Sequence, residues 1–137
     1  MLRHILIQRP LKVNEGPIGL IIVPSRELAW QIYQEAQVYC KLTNLEISCV
    51  FGGIAAQEQI SKIKRGSHII VCTPGRMIEM LSLNNSTFLS LKRCSFIVLD
   101  EADRMFDLGF EPQIKKIIMK TEYYSELVLK LIFRDFY

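Results

Sequence analysis

The sequence predicts an α/β fold in which a parallel β-sheet carries helices on both faces. Short runs of β-branched and other apolar residues recur along the 137-residue chain, and amphipathic segments separate them. Continuous apolar runs are typical of strands buried on both faces, and their alternation with helices is typical of βαβ units. A chain of this length corresponds to one domain, and its 50% share of hydrophobic residues can fill a core.

The first half of the chain predicts two strand–helix units. Residues 18–24 form the first strand, and Ser25 caps a helix whose apolar side chains recur at helical spacing. Residues 45–51 form the second strand, which the Gly52-Gly53 pair closes. Residues 55–66 then favour a short helix that ends at a glycine.

The second half of the chain predicts two more strands. The third strand covers residues 68–72 and is followed by Thr73-Pro74-Gly75-Arg76 and by a helix over 77–83. The fourth strand covers residues 94–100, and an amphipathic helix occupies residues 111–120.

The composition narrows the class of protein. The net charge of +3 permits nucleic-acid binding without arguing for it, since a strong electrostatic footprint needs a denser basic patch. No apolar stretch approaches the length of a membrane span, and the N-terminal apolar run is too short for a signal peptide. Without any C-x-x-C pair, the four cysteines are expected to be buried, reduced thiols rather than disulfide or zinc ligands: Cys40, Cys49, Cys72 and Cys94.

Polar or glycine-rich residues follow every predicted strand. The first strand leads into Ser25-Arg26, the second into Gly52-Gly53, the third into residues 73–76, and the fourth into the acidic segment 100–103. Parallel strands end at one edge of a sheet, where ligands bind. Helix N-termini, glycines and arginine side chains suit phosphate oxygens. This edge therefore predicts a track for a phosphate backbone beside a metal site.

Each of these features also has a purely structural explanation. Ser25 can serve only as a helix cap, Gly52-Gly53 as a turn, and residues 73–76 as a turn in which proline presets φ. Asp100 can cap a helix that follows it in the chain, and the dipole of that helix favours acidic residues in its first turn. His68, at the start of a strand, is expected to be structural. What favours function is the joint occurrence of these features at four successive strand ends.

The ordered set of motifs resembles the first RecA-like domain of DEAD-box ATP-dependent RNA helicases. The family's P-T-R-E-L-A motif corresponds to P-S-R-E-L-A here, with Ser25 in place of threonine. Gly52-Gly53 matches the glycine doublet, residues 73–76 match T-P-G-R, and residues 98–110 match V-L-D-E-A-D-R-M-F-D-L-G-F. The resemblance covers residues 2–118, and the sequence around the motifs is most similar to the branch active in nuclear pre-mRNA splicing.

The resemblance implies a nucleotide site and an RNA site. Asp100 would hold Mg²⁺ through water at the β- and γ-phosphates of ATP, Glu101 would position the attacking water, and Asp103 would connect the two sites. The RNA sugar–phosphate backbone would be contacted, regardless of base sequence, by Ser25, Arg26, Gly52, Gly53, Thr73, Pro74, Gly75 and Arg76. It further implies a monomer with spliceosomal proteins among its partners, located in the nucleus in preference to the cytoplasm.

The chain departs from the family at both ends. It contains no G-x-x-x-x-G-K-[ST] phosphate loop, and the family's S-A-T motif does not follow residue 118. We therefore expect an incomplete RecA-like sheet, with a partial domain over residues 1–120 and a divergent tail over 121–137. ATP and Mg²⁺ are expected to bind a full-length parent helicase, of which this chain is a fragment produced by a truncated gene prediction.

Two functions follow from this departure. As a helicase fragment, the isolated chain is expected to be inactive as an ATPase and to bind RNA weakly and in a salt-sensitive way. The alternative is a short non-catalytic product that binds RNA or partner proteins.

The missing S-A-T motif also matters for stability. In the family, the S-A-T strand lies beside the strand that ends in the acids, so without it residues 94–99 would form an exposed edge. Either the tail segment 126–133 pairs there, or the chain is unstable alone. The spacing of Leu127, Lys130 and Leu131 looks helical, which favours the second outcome.

Overall fold

The computed structural model has a five-stranded parallel sheet at its centre. The structure describes residues 1–12, 15–83, 89–122 and 128–132. The strand order across the sheet is β2-β3-β1-β4-β5, which confirms the predicted parallel α/β architecture. The strands are β1 (Gly19–Ile22), β2 (Ile47–Val50), β3 (Ile69–Cys72), β4 (Phe96–Asp100) and β5 (Val128–Ile132).

Six helices accompany the sheet in the described part of the chain. They are α1 (Leu2–Leu6), α2 (Arg26–Leu42), α3 (Ala56–Lys64), α4 (Pro74–Ser82), α5 (Ala102–Asp107) and α6 (Glu111–Ile118). Helix α1 was not predicted from the sequence, and α5 was considered there only as the helix that Asp100 could cap; both helices are short. Helix α4 begins three residues earlier than predicted, because Pro74 occupies its first turn behind Thr73 at the N-cap position. None of these helices combines the length and apolar character needed to cross a membrane.

Helices cover both faces of the sheet, as predicted. On one face, the side chains of Leu20, Ile70 and Ile97 pack in a buried cluster with residues of α3 to α6, including Met77 and Ile117. On the other face, the second buried cluster joins α1 and α2 to the sheet through Ile5, Ala29, Tyr33, Ile69 and Val71. Strand residues therefore alternate between two cores, which explains their continuous apolar runs.

The tail corrects a prediction. Residues 128–132 form strand β5, which pairs with β4 in parallel register from Phe96↔Val128 to Asp100↔Ile132. The helical interpretation of the tail was therefore wrong at Lys130 and Leu131, while Leu127 lies outside the described residues. Pairing satisfies backbone groups that β4 would otherwise expose at the edge of the sheet. Pairing with the edge of β4, and not the spacing of apolar residues within the tail, therefore determines the conformation of residues 128–132.

The segment before β1 is anchored to the segment before β4. Glu15 accepts two hydrogen bonds from Arg9, at 2.8 and 2.9 Å, and one from Arg93 at 3.3 Å. The bond from Arg9 is the main reason that the pKa of Glu15 falls to about 2. The next residue, Gly16, has φ +78° and faces the backbone of Ser90, where a Cβ would overlap the carbonyl oxygen. The backbone of Gly16 is therefore in direct contact with the backbone of Ser90.

The predicted burial of the four cysteines is confirmed. All four are free and buried. Burial raises the pKa of the Cys49 and Cys94 thiols to about 12, so both remain protonated and unreactive at neutral pH.

His68 has a structural role at the start of β3. Its Nδ1 accepts a hydrogen bond of 3.0 Å from the backbone N–H of Glu46, just before β2. The ring must therefore be unprotonated at Nδ1, and burial lowers the pKa of His68 in the folded state. Protonation removes the acceptor and breaks this link between the two strands.

We expect the free energy of unfolding to fall as the pH drops below the usual histidine pKa of about 6.5 and on through the lower pKa of folded His68. Folded His68 has the lower pKa, so the unfolded state binds more protons there and gains stability on acidification. Chemical denaturation between mildly alkaline and mildly acidic pH measures the slope. In His68→Asn, the amide oxygen can accept the same bond without titrating, so this variant should lose part of the slope. An identical slope in both proteins would contradict the assignment.

Candidate functional site

The four predicted motifs meet at one edge of the sheet. Ile22 of β1 is in register with Cys72 of β3 and Leu99 of β4, and Cys72 is in register with Val50 of β2. The residues that follow these strands therefore emerge side by side. Across this edge the order is the glycine pair, the 73–76 segment, the Ser25 segment and the acidic segment.

Asp100 is the last residue of β4 and marks the acidic end of this edge. Its Oδ1 accepts a hydrogen bond of 3.0 Å from the backbone N–H of Glu101. Partial burial raises the pKa of Asp100, and the charge of Glu101 adds to this effect, while the hydrogen bond opposes it. A nearby cation would therefore stabilise the ionised form of this carboxyl group.

Glu101 has a left-handed backbone conformation, with φ 54° and ψ 49°. For a residue other than glycine, this conformation costs on the order of 1 kcal/mol. Glu101, not Asp100, is the N-cap residue of α5, and its side chain does not cap that helix. Its Oε2 instead lies 3.1 Å from Nη1 of Arg104. Capping by Asp100 is thus not the explanation of the acidic segment, and Asp103 lies in the first turn of α5.

The acidic segment fits Mg²⁺ held largely by water. Carboxylate oxygens are the donors that Mg²⁺ prefers, and the ion usually keeps several waters beside one or two carboxylates. Within the described ranges, no three metal-binding side chains converge. A carboxylate at the position of Asp100 suits a site of this kind, in which water and substrate oxygens complete the coordination.

The 73–76 segment forms the beginning of α4. The backbone N–H of Thr73 donates to the carbonyl of Val50, at 3.0 Å, which ties the segment to β2. Thr73 is the N-cap residue, yet its hydroxyl accepts no bond from the helix. Gly75 is exposed, and apart from its chain neighbours and the backbone of its own helix, no described atom lies within 4 Å of where its Cβ would be. The first turn of α4 therefore offers backbone N–H groups beside open space, which suits an anion.

Ser25 and Arg26 begin α2. The Ser25 hydroxyl accepts a hydrogen bond of 3.3 Å from the backbone N–H of Leu28, so it does cap the helix. The exposed Arg26 side chain lies over Gly53, where a Cβ would overlap its Nη1. Gly53 also has φ +89°, a value that favours glycine. Gly52 faces open space.

Arg76 is directed inward. Its Nη2 donates to the carbonyl of Ile54 at 3.0 Å, and its Nε lies 3.3 Å from Oε2 of Glu79. Only 10% of the side chain is exposed. Arg76 thus joins the 73–76 segment to the residues after the glycine pair, and its predicted contact with RNA stays a prediction.

Gln59 belongs to the same region, and sequence reasoning missed it. It lies on α3, is 3% exposed, and donates from Nε2 to the carbonyl of Phe51 at 2.9 Å. The available indication was its position on the apolar face of the helix, between Ala56 and Ile63. A buried amide at such a position needs a partner, which the sequence does not identify.

The DEAD/DEAH box helicase family matches residues 1–131. The pre-mRNA-processing ATP-dependent RNA helicase prp11 of Schizosaccharomyces pombe is 56% identical over 118 residues, covering 86% of this chain and 12% of prp11. The human probable ATP-dependent RNA helicase DDX46 is 53% identical over 118 residues, covering 86% of this chain and 11% of DDX46.

A solved structure agrees in fold. The crystal structure of the yeast DEAD-box splicing factor Prp28 superimposes with a TM-score of 0.84 at 31% sequence identity, covering 99% of this chain and 32% of that one. The chain thus spans about a tenth of the curated relatives and about a third of the solved chain. The family match reaches residue 131, within β5, while the domain boundary predicted at residue 120 stays a prediction. The resemblance to DEAD-box helicases is confirmed, and so is the similarity to pre-mRNA-processing helicases. The chain belongs to the DEAD/DEAH box helicase family.

Proposed function

We propose that this chain supplies the RNA-backbone track and the acidic half of the nucleotide site to an ATP-dependent RNA helicase. The observation that carries the proposal is the strand register, which places four motifs side by side at one edge. Hydrolysis of ATP, and the RNA unwinding or RNA–protein remodelling coupled to it, belong to a longer protein. The pre-mRNA-processing relatives support a nuclear role beside spliceosomal proteins.

The acidic segment prepares the hydrolytic end of the site. Asp100, whose Oδ1 accepts a hydrogen bond from the Glu101 N–H, would hold Mg²⁺, and the ion would supply positive charge beside the phosphates of ATP. Glu101 is the N-cap residue of α5 but does not cap the helix with its side chain; its carboxylate, which pairs with Arg104, would orient the attacking water. Asp103, in the first turn of α5, joins this end to the RNA track. Catalysis of this kind is mainly positioning and electrostatic stabilisation.

The RNA track binds phosphates and sugars without reading bases. Exposed Arg26 supplies positive charge, and the first turn of α4 supplies backbone donors at Gly75. Contacts of this kind fix the orientation of a nucleic acid but carry no sequence information. The track therefore suits a helicase that acts on many RNA sequences, with affinity that falls as salt rises.

A second function is a short RNA-binding product without catalysis. The 137 residues contain the three RNA-side segments (Ser25-Arg26, Gly52-Gly53 and residues 73–76) and no G-x-x-x-x-G-K-[ST] sequence. A polypeptide of this sequence would then bind RNA but would not hydrolyse ATP.

Gly75→Ala tests the track without disturbing the fold. The site has room for a methyl group, and alanine favours a helix over glycine by up to about 1 kcal/mol. We expect thermal stability to be equal or higher, and affinity for a single-stranded homopolymer RNA to fall about tenfold, or ~1.4 kcal/mol. Fluorescence anisotropy at low salt measures the affinity. Gln34→Ala, on the exposed side of α2, is the control and should bind normally. Unchanged affinity of Gly75→Ala would remove this segment from the track.

A further inference from the structure

The loop between β2 and α3 is held from two sides. It contains Gly52-Gly53, and the carbonyl groups next to this pair both accept side-chain hydrogen bonds. Gln59 donates to the carbonyl of Phe51 at 2.9 Å, and Arg76 donates to the carbonyl of Ile54 at 3.0 Å. The glycine pair is thus fixed at both ends, although glycine itself is the most flexible residue.

Gln59 is placed where packing alone would favour an apolar side chain. It is 3% exposed, and its neighbours Ile60 and Ile63 pack against the core. Its Oε1 is buried without a hydrogen-bond partner in the described part of the chain, which is unfavourable. The hydrogen bond to the carbonyl of Phe51 is therefore the favourable interaction that the amide makes at this position. This bond holds one end of the loop.

Fixing the loop matters for binding. Gly53 has φ +89° and packs against the Arg26 side chain, so the loop conformation also sets the position of this exposed cation. A loop that is already ordered loses less conformational entropy when a ligand binds. We infer that Gln59 is a positioning residue, which holds the Gly52-Gly53 loop and Arg26 in the conformation that receives an RNA phosphate. This inference rests on the proposed RNA track.

Gln59 allows a cleaner test than Arg76. Arg76 belongs to the proposed RNA-contacting set and also pairs with Glu79, so its replacement changes charge and loop together. Gln59 is neutral and buried, and cannot itself touch RNA. Gln59→Met keeps the length of the side chain and removes the donor. Gln59→Glu keeps the shape and donates only when its carboxyl group is protonated.

The experiment measures three quantities on the whole chain and both variants. They are the affinity for a single-stranded homopolymer RNA, the hydrogen exchange of the Gly52 and Gly53 amides without RNA, and the thermal midpoint. For Gln59→Met we expect a near-normal midpoint, faster exchange at the two glycines and about tenfold weaker RNA binding. Gln59→Glu should regain affinity, relative to Gln59→Met at the same pH, as pH falls through the pKa of its carboxyl group.

The outcomes separate the two proposals. If the unchanged chain binds RNA and Gln59→Met binds equally well, the positioning role is overturned and the RNA track stands. If the unchanged chain binds no RNA, the track is overturned, and the exchange rates decide about Gln59. Equal exchange at Gly52 and Gly53 in the variant then overturns the positioning role as well. Affinity of Gln59→Glu that follows Gln59→Met at every pH also contradicts it.

Discussion

A chain shortened to end at Glu122 is expected to lose its cooperative thermal transition and to aggregate. The truncation removes β5, which pairs with all five residues of β4. Strand β4 lies in the sheet between β1 and β5 and contributes Ile97 and Leu99 to the core. An apolar strand with unpaired backbone groups on one side is an aggregation site. We expect a loss of about 3 kcal/mol or more, which is a large part of the stability of a small domain.

Truncation at Ile132 is the matched control for this loss. It removes residues 133–137 and leaves β5 in place, so we expect its thermal midpoint and its oligomeric state to equal those of the whole chain. Calorimetry and light scattering, run on the three proteins at equal concentration, measure both properties. If the chain ending at Glu122 is monomeric and unfolds with the same midpoint, β5 is dispensable and β4 tolerates exposure.

Replacement of Gly16 by alanine is expected to destabilise the protein by about 3 kcal/mol or more. Two costs combine at this residue. Its φ of +78° is unfavourable for any residue with a Cβ, and the added methyl group would overlap the Ser90 carbonyl. A backbone atom cannot rotate away as a side chain can. The strands that follow these two segments, β1 and β4, would have to separate, or Gly16 would have to change conformation.

Gly66→Ala separates the two costs. Gly66 has φ +98°, but apart from its chain neighbours, no described atom lies within 4 Å of the position that an added methyl group would occupy. This variant therefore reports the backbone cost alone, about 1 kcal/mol. Urea denaturation of both variants gives the difference, which we assign to the contact with Ser90. Equal destabilisation would show that the segments before β1 and β4 can move apart freely.

The features that could be predicted from the sequence are those that depend on short-range patterns of residues. Strands β1 to β4 follow from continuous apolar runs, and the Ser25 cap follows from its position before an amphipathic segment. The shared edge follows because parallel strands end together. Each of these inferences needs only the residues of one element, or a general rule about how such elements pack.

What the sequence could not predict depends on distant partners. The tail segment around Lys130 has a spacing that fits a helix, but the unpaired side of β4 makes it a strand. The inward direction of the Arg76 side chain depends on its hydrogen bond to the carbonyl of Ile54. The role inferred for Gln59 depends on its hydrogen bond to the carbonyl of Phe51. No local pattern records these bonds, because each joins residues from different elements.

At Glu101, the backbone conformation lowers the stability of the fold, while the side chain is the one proposed to take part in hydrolysis. Its φ of 54° is one that glycine or asparagine adopts more readily. Selection for thermal stability alone would therefore favour replacement of this glutamate, and would remove the carboxylate proposed to orient water. Selection for hydrolysis would restore glutamate and accept a less stable fold. Directed evolution for heat resistance should accordingly be screened for retention of this residue, since its proposed role in hydrolysis opposes stability.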